Sequence, residues 1–128
     1  MTNREILKAF YDELSSATTL PKAFINEKFN PSGTYLKVST LFIEKDTKPH
    51  CGNKIGFLGV NLFFKEFTGY PEYMDIADQI AGYFKAKKIG NIQIGDDSDD
   101  EPKIGEIITS RDKKGWMFIP ITIYFEVQ

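Results

Sequence analysis

His50 and Cys51 stand side by side and are the best candidates in this sequence for metal ligands or for a nucleophile with its base. A zinc site needs three or four such ligands, and the chain contains one histidine and one cysteine. A catalytic thiolate needs an imidazole within hydrogen-bonding reach, and adjacent residues rarely achieve that geometry. We therefore expect the pair to lie in a surface loop, without a metal or a catalytic role.

Five acidic residues fall within the six positions 96–101. The run is similar in composition to a calcium-binding loop, but Glu101 stands where that loop needs glycine, and Pro102 follows it. We expect a solvated loop, and weak, nonspecific binding of divalent cations is the alternative. An electrostatic contact between subunits is conceivable, because the charge of this run is opposite to that of five lysines: Lys85, Lys87, Lys88, Lys113 and Lys114.

The rest of the sequence spells out no other active site. The glycines around Lys54 match neither a phosphate-binding loop nor a dinucleotide fingerprint, and no serine-centred nucleophile elbow occurs. Carboxylate pairs such as Asp96 and Asp100 lie in polar sequence, without the apolar surroundings that create a general acid. The sequence therefore predicts a protein that is not an enzyme and needs no cofactor.

Composition narrows the class of protein further. The 128 residues carry 16 basic and 18 acidic side chains, a net charge of -2, which lacks the basic excess of proteins that bind DNA directly. A single cysteine cannot form an internal disulfide, and the first residues show no signal peptide, so we expect synthesis in a reducing cytoplasm. No apolar run approaches the ~20 residues that span a membrane.

The first half of the chain reads as a helix followed by two strands. Thr2 and Glu5 have the spacing of a capping box, and apolar residues follow at helical spacing as far as Ala17. The second strand, at residues 55–64, is apolar on both faces and should lie inside a sheet or at a subunit contact. In the first strand, at residues 34–43, one face is predicted to carry Leu36, Val38, Thr40 and Phe42.

The second half reads as a helix and three strands. Pro71 suits the first helical position and Gly90 the end of a helix over residues 71–88. Gly115 is predicted to have a positive φ in the turn before the last strand. Pro120 lacks an amide hydrogen, which places that strand at an edge or makes it bulge. The strands are predicted at residues 91–94, 103–110 and 116–127.

Together these elements predict an α+β fold in one domain, residues 1–128. We expect a single mainly antiparallel or mixed sheet of four to five strands, with two helices on one face, in the order α-β-β-α-β-β-β. The aromatic residues Tyr70, Tyr73, Trp116, Phe118 and Tyr124 exceed what this arrangement easily covers, so they are either core or interface residues.

The order and the residue classes of these segments resemble a known family. The N-terminal helix and residues 35–42, 56–63, 74–84 and 115–123 are similar to the small tail terminator and tail-completion proteins of long-tailed, lambda-like bacteriophages and prophages. The resemblance rests on patterns of residue class rather than on invariant catalytic motifs. The chain departs from the expected pattern at residues 65–68 and in the density of the acidic run.

The resemblance implies a virion structural protein, made in the host cytoplasm and carried in the tail. Such a protein forms a hexameric ring on the tail tube, ends tube polymerisation and presents a surface that joins the head. The implied partners are further copies of the chain, the tail tube protein and a head-completion protein, without a membrane or sequence-specific nucleic acid. As interface residues we choose the charged loops and one aromatic residue: Lys45, Lys48, Asp96, Asp97, Asp99, Asp100, Arg111, Lys113, Lys114 and Trp116.

Two alternatives remain at this stage. One is a head–tail connector or another minor tail protein of similar topology. The other, from a different class, is a small α+β domain whose concave sheet face binds a small molecule.

Overall fold

The computed structural model describes residues 2–24, 31–45, 54–66, 69, 71–95 and 100–127. In this part of the chain two helices, α1 (Asn3–Ala17) and α2 (Pro71–Phe84), accompany one sheet of eight strands. The α+β class is therefore confirmed. The strands are β1 (Lys22–Ala23), β2 (Tyr35–Lys45), β3 (Lys54–Lys65), β4 (Lys88–Ile89), β5 (Ile92–Ile94), β6 (Lys103–Ile104), β7 (Ile108–Thr109) and β8 (Trp116–Val127).

The sheet is built on three long antiparallel strands, with β3 between β2 and β8. Its order is β1-β2-β3-β8-β5-β4, and β6 and β7 also pair with β8. Only the β1–β2 pair is parallel among the strand pairs of the described residues, so the sheet is mixed. The prediction of four to five strands was wrong because several two-residue strands are too short to leave a periodic pattern in the sequence.

Pro120 explains why the strand predicted at residues 103–110 is two strands. The amide nitrogen and the carbonyl of a residue in an antiparallel strand point to the same neighbour. The Pro120 carbonyl accepts a hydrogen bond from the Gly105 amide at 2.8 Å, so the proline nitrogen faces this side as well and has no hydrogen to donate. Beyond this point the register shifts by one residue, and Ile108 pairs with Phe118. The prediction that β8 lies at an edge or bulges at Pro120 was therefore wrong: β8 has neighbours on both sides and pairs with β3 without a register shift, and the irregularity lies between β6 and β7.

Both helices pack against one face of the sheet. Ile6, Phe10 and Leu14 form the buried stripe of α1, and α2 buries Ala77, Ile80 and Phe84. The Phe10 ring joins the two helices to the sheet, with its centroid 6.4 Å from that of Phe84 and 4.9 Å from that of Phe125. The strands complete this core with Leu36, Val38, Leu58, Val60, Leu62, Phe64, Ile92, Ile94, Ile119, Ile121, Ile123, Phe125 and Val127.

The two helices begin as predicted, but α2 ends earlier. At α1 the Glu5 amide donates to Thr2 Oγ1 at 3.1 Å, and the Thr2 amide donates to Glu5 Oε1 at 3.3 Å, which confirms the capping box. The Thr2 hydroxyl also donates to Glu5 Oε1 at 3.0 Å, and this hydrogen bond, together with that from the Thr2 amide, lowers the pKa of the Glu5 carboxyl. The end predicted near residue 88 was wrong: α2 stops at Phe84, and Ala86 has a φ of 58°. The chain turns there because β4 pairs with β5.

A β-bulge in β2 changes which side chains face the helices. The register with β3 shifts between Val38 and Thr40. Leu36 and Val38 are buried in the core, whereas Phe42 lies 46% exposed on the other side of the sheet. The prediction that these residues share one face with Thr40 was therefore wrong, because the extra residue reverses the alternation.

Candidate assembly surface

The sheet face opposite the helices is covered by neither α1 nor α2. We call it the helix-free face; it carries the outward side chains of β2, β3 and β8. The side chains at its middle are small or uncharged on β3 and β8, where Gly59 and Asn61 lie opposite Thr122 and Pro120, and Lys103 on β6 pairs with Thr122 at one side of this middle. Aromatic and charged side chains occupy the two ends, and the two ends differ in charge.

The first end is an aromatic cluster ringed by lysines, the lysine pole. The rings of Tyr35 and Phe63 stack with centroids 5.0 Å apart, and Trp116 meets Tyr35 edge-on at 5.6 Å. Phe118 packs on Phe63 at 5.1 Å. Tyr35, Phe63 and Trp116 are all buried, although no helix covers them. The lysine pole consists of these four aromatic residues with Lys37, Lys65 and Lys113.

The Lys113 side chain covers the outer surface of this aromatic cluster. Its Nζ lies 3.9 Å from the centroid of the Trp116 ring and 4.6 Å from that of Tyr35, a double cation–π contact. Burial lowers the pKa of Lys113, and the charges of Lys65 and Lys37 lower it further. Burial also raises the pKa of the Tyr35 hydroxyl. The three lysines are therefore close enough to repel one another, and this end of the face is positive.

The turn between β7 and β8 positions Lys113. The Lys113 amide donates to Ser110 Oγ at 3.1 Å, and the Trp116 amide donates to the Lys113 carbonyl at 3.2 Å. Gly115 has a φ of 82°, which confirms the positive φ predicted for it and allows this tight turn. The local hydrogen bonds thus hold the lysine over the indole that begins β8.

The second end is an open aromatic row with carboxylates, the acidic pole. Phe42 stacks on Phe57 at 5.5 Å, and Phe57 meets Tyr124 at 6.0 Å. Phe42 and Tyr124 are 46% and 41% exposed. Glu44 and Glu126 are exposed beside this row. We define the acidic pole by these five residues together with Asp100, and most of them line a groove of about 580 Å³.

The residues predicted to form an interface do not make one cluster. Lys113 and Trp116 belong to the lysine pole, with Arg111 and Lys114 exposed on the same turn, but Asp100 lies in the acidic pole. Trp116 is 7% exposed, so its ring is a support for Lys113 rather than an open contact. Lys45 ends β2 and pairs with Lys54. Asp96, Asp97, Asp99 and Lys48 lie outside the described residues.

Glu101, the last residue of the acidic run, has a partner within the chain. Its carboxylate lies 3.2 Å from Lys85 Nζ, just after α2. The Lys85 side chain is half-exposed and that of Glu101 about one-third exposed, so this ion pair contributes at most about 1 kcal/mol.

Several residues of the poles were not among the predicted interface residues, namely Lys37, Phe42, Phe57, Phe63, Lys65 and Glu126. Alternation along β3 places Phe57 and Phe63 on the face opposite the buried side chains, and the same reading applies to Lys65 and to Glu126 on β8. Phe42 could not be found in this way, because the bulge in β2 reverses its side. Lys37 carries no signal of its own in the sequence.

The described ranges contain neither a cluster of metal ligands nor a membrane-spanning helix. There, no group of three or more histidine, cysteine or acidic side chains could hold a metal ion. His50 and Cys51 fall outside these ranges. Neither α1 nor α2 is long and apolar enough to cross a bilayer.

Comparison with known proteins relates the chain to solved structures. No family model matches it, and no curated protein matches it. One solved structure, whose title is only a sequence identifier, aligns over 100% of this chain and 96% of its own with a TM-score of 0.70 and 22% identity. A chain of the structure titled "Virion of native gene transfer agent (GTA) particle" aligns over 94% of this chain and 92% of its own, with a TM-score of 0.65 and 8% identity. At these identities the likeness establishes a shared fold.

Proposed function

We propose that this chain is a structural protein of a phage-like virion tail. The observation that carries the proposal is the fold shared, over nearly the whole length of both chains, with a component of a gene transfer agent particle. Gene transfer agents are phage-like particles. The family resemblance in the sequence points to the same class of protein and was drawn from different observations.

Within that class, we propose the part of a tail terminator. Copies of the chain form a hexameric ring on the end of the tail tube, stop its polymerisation and present the surface that joins the head. The partners are further copies of the chain, the tail tube protein and a head-completion protein. The protein breaks and forms no covalent bond in this process, and it is located in the tail after synthesis in the host cytoplasm.

A closed ring needs head-to-tail contacts between unlike surfaces. The outer side of β2 supplies a suitable edge, because β1 pairs only with Leu36 and Lys37. From Val38 to Glu44, β2 has no partner strand on that side among the described residues. Such an edge can add a strand or a loop of the neighbouring subunit through backbone hydrogen bonds.

Deletion of the gene from the genome that encodes the chain tests the proposal. We expect electron micrographs of the deletion strain to show tails of uncontrolled length and heads without tails, and a plasmid copy should restore joined particles. The connector alternative predicts free tails of normal length instead. Particles of normal length that are joined to heads would refute a role in tail completion.

The small-molecule alternative is supported by the groove at the acidic pole, because its volume lies within the ~300–1,000 Å³ that is usual for a ligand pocket. A ligand that raises the melting temperature of the wild-type protein, but not of a Phe57→Ala variant, would support this alternative. The gene deletion distinguishes the two, since a small-molecule receptor leaves tail length unchanged.

A further inference from the structure

We propose that two copies of this chain pack through their helix-free faces, with the lysine pole of each copy over the acidic pole of the other. The contact goes beyond the ring, whose neighbours meet through other surfaces. It is argued from the charge and shape of the helix-free face and does not depend on the proposed function.

The positions of the poles determine the orientation of the pair. Both poles lie on the same face, at opposite ends of the long strands: Lys37 is near the start of β2 and Glu44 near its end, while Lys65 ends β3. A two-fold axis that lies between the sheets, perpendicular to the strands, places each lysine pole over an acidic pole. An axis parallel to the strands would bring like charges together. In this antiparallel pair each of the four poles therefore faces a pole of opposite charge on the other copy.

The shape of the middle allows the two sheets to approach. Gly59, Asn61, Pro120 and Thr122 lie near the axis, and none has a long side chain. Stacked sheets pack ~10 Å apart when their facing side chains interdigitate. The side chains at the middle of each helix-free face are short and the aromatic side chains at its ends are long. The ends of the two faces can therefore come into contact before the backbones clash at the centre.

Covering the acidic pole should contribute most of the apolar binding free energy, because its aromatic rings are exposed to solvent. The exposed rings of Phe42 and Tyr124 can take the aliphatic stems of lysines from the other copy, with the ammonium groups directed to Glu44 and Glu126. A lysine over an aromatic ring is a geometry that this chain already uses at Lys113. The contact between copies would thus use the same lysine–aromatic interaction that Lys113 makes within one copy.

The size of the face sets the strength of the contact. The 12 residues of β8 span ~40 Å and three strands span ~14 Å, so about 560 Å² per copy could be covered. The sum over both copies lies near the lower limit for a specific interface. We therefore expect a weak dimer, with a dissociation constant between about 10 μM and 1 mM, that dissociates as salt screens the poles.

Charge reversal at each pole tests the contact. One variant carries Lys37→Glu with Lys65→Glu, and the other carries Glu44→Lys with Glu126→Lys. Sedimentation velocity at low salt and up to ~1 mM protein should show a wild-type dimer and, for each variant alone, association weaker by on the order of 100-fold. An equimolar mixture of the two variants should form the dimer again, because acidic ends then meet basic ends.

Matched controls carry the same change in net charge away from the helix-free face. Asp12→Lys with Asp78→Lys matches the acidic-pole variant, and Arg4→Glu with Lys8→Glu matches the lysine-pole variant; all four positions are exposed and lie on the helices. Both controls should dimerise as the wild type does. Melting curves of every variant establish that each is folded.

Several outcomes would overturn the inference. A wild-type protein that stays monomeric at ~1 mM and low salt contradicts it, as does a mixture that fails to regain the dimer. A hexamer that both pole variants still form would contradict the face-to-face contact and support the ring. If the dimer behaves as expected but the gene deletion leaves tails normal, the proposed function fails and the contact stands.

Discussion

Replacement of Gly56 by alanine tests the close approach of β2 and β3 beneath the acidic pole. Gly56 pairs with Ile43 on one side and Phe125 on the other. A Cβ at this position would overlap the backbone carbonyl oxygen of Phe42 and lie 3.0 Å from Phe125 Cζ. A carbonyl oxygen cannot rotate away as the end of a side chain can, so β2 would have to move.

The expected magnitude follows from two opposing terms. Overpacking of this kind costs about 1–3 kcal/mol or more. Replacing glycine by alanine also lowers the conformational entropy of the unfolded chain, which stabilises the folded state by about 0.4–1 kcal/mol. Because the overlap is with a backbone oxygen, the cost lies at the upper end of that range, about 3 kcal/mol, and the net loss for Gly56→Ala should be about 2 kcal/mol. Gly82 is the matched control, since it lies on the exposed side of α2 with nothing within 4 Å of its Cβ position, and alanine there should gain about 0.5–1 kcal/mol.

Urea denaturation followed by circular dichroism measures both changes. For a domain of this size about 2 kcal/mol corresponds to a decrease of ~8 °C in melting temperature. The same substitution should thus lower stability at residue 56 and raise it at residue 82. If Gly56→Ala were as stable as Gly82→Ala, β2 and β3 would not approach as described, and the position of Phe42 in the acidic pole would be wrong.

Three further predictions concern the core, the first helix and the lysine pole. Phe10→Ala should cost about 3–5 kcal/mol in urea because this ring joins both helices to the sheet, whereas Phe42→Ala should cost less than about 1 kcal/mol; equal costs would contradict the described core. Thr2→Ala should cost about 1 kcal/mol by loss of the cap. The pKa of Glu5 is lowered in the folded state, so the ionised carboxylate contributes to the free energy of unfolding above the unfolded pKa of 4.5, and this contribution is lost as the pH falls through the folded pKa. In urea titrations at several pH values, Glu5→Gln should therefore lose less stability in acid than the wild type does. The folded pKa of Lys113 is also lowered, so stability should rise with pH between it and 10.5, and a Lys113→Met variant that kept this rise would refute the assignment.

The long strands and the helix starts could be predicted because their signals are local. β3 lies between β2 and β8, as its two apolar faces indicated, and α1 begins with the capping box of Thr2 and Glu5. The strands β1, β4, β6 and β7 are two residues long, and each exists only because a neighbouring strand offers hydrogen bonds. No period can be read from two residues.

The bulge at Ser39 shows what a pattern within one strand cannot reveal. Alternation through residues 36–42 is consistent with a regular strand and would bury Phe42. The register between β2 and β3 depends on β3, where Gly59 pairs with Thr40. A Cβ added at Gly59 would lie 3.1 Å from Ser39 Oγ, so glycine leaves room for the bulged residue. Tertiary pairing thus determines the exposure of Phe42, and with it the acidic pole.

The lysine pole was missed as a unit for a similar reason. Lys37, Lys65 and Lys113 are far apart in sequence and meet only because β2, β3 and β8 are neighbours. The sequence indicated the charge of the turn at Lys113, but it linked that turn with the acidic run. The structure places Lys113 and Asp100, the described residue of that run on this face, at opposite ends of the face.

The two poles differ in how much a partner can gain from them. At the lysine pole, Tyr35 and Trp116 are already covered by Lys113, and the exposed apolar side chain that a partner could cover is Ile108, which pairs with Phe118. At the acidic pole, Phe42 and Tyr124 are open, and covering them can supply most of the apolar contribution to binding. Charge attraction then selects the orientation of the partner, while the exposed rings supply the affinity. A change at Phe42 should therefore weaken association in both low and high salt, whereas a change at Lys37 should lose its effect as salt increases.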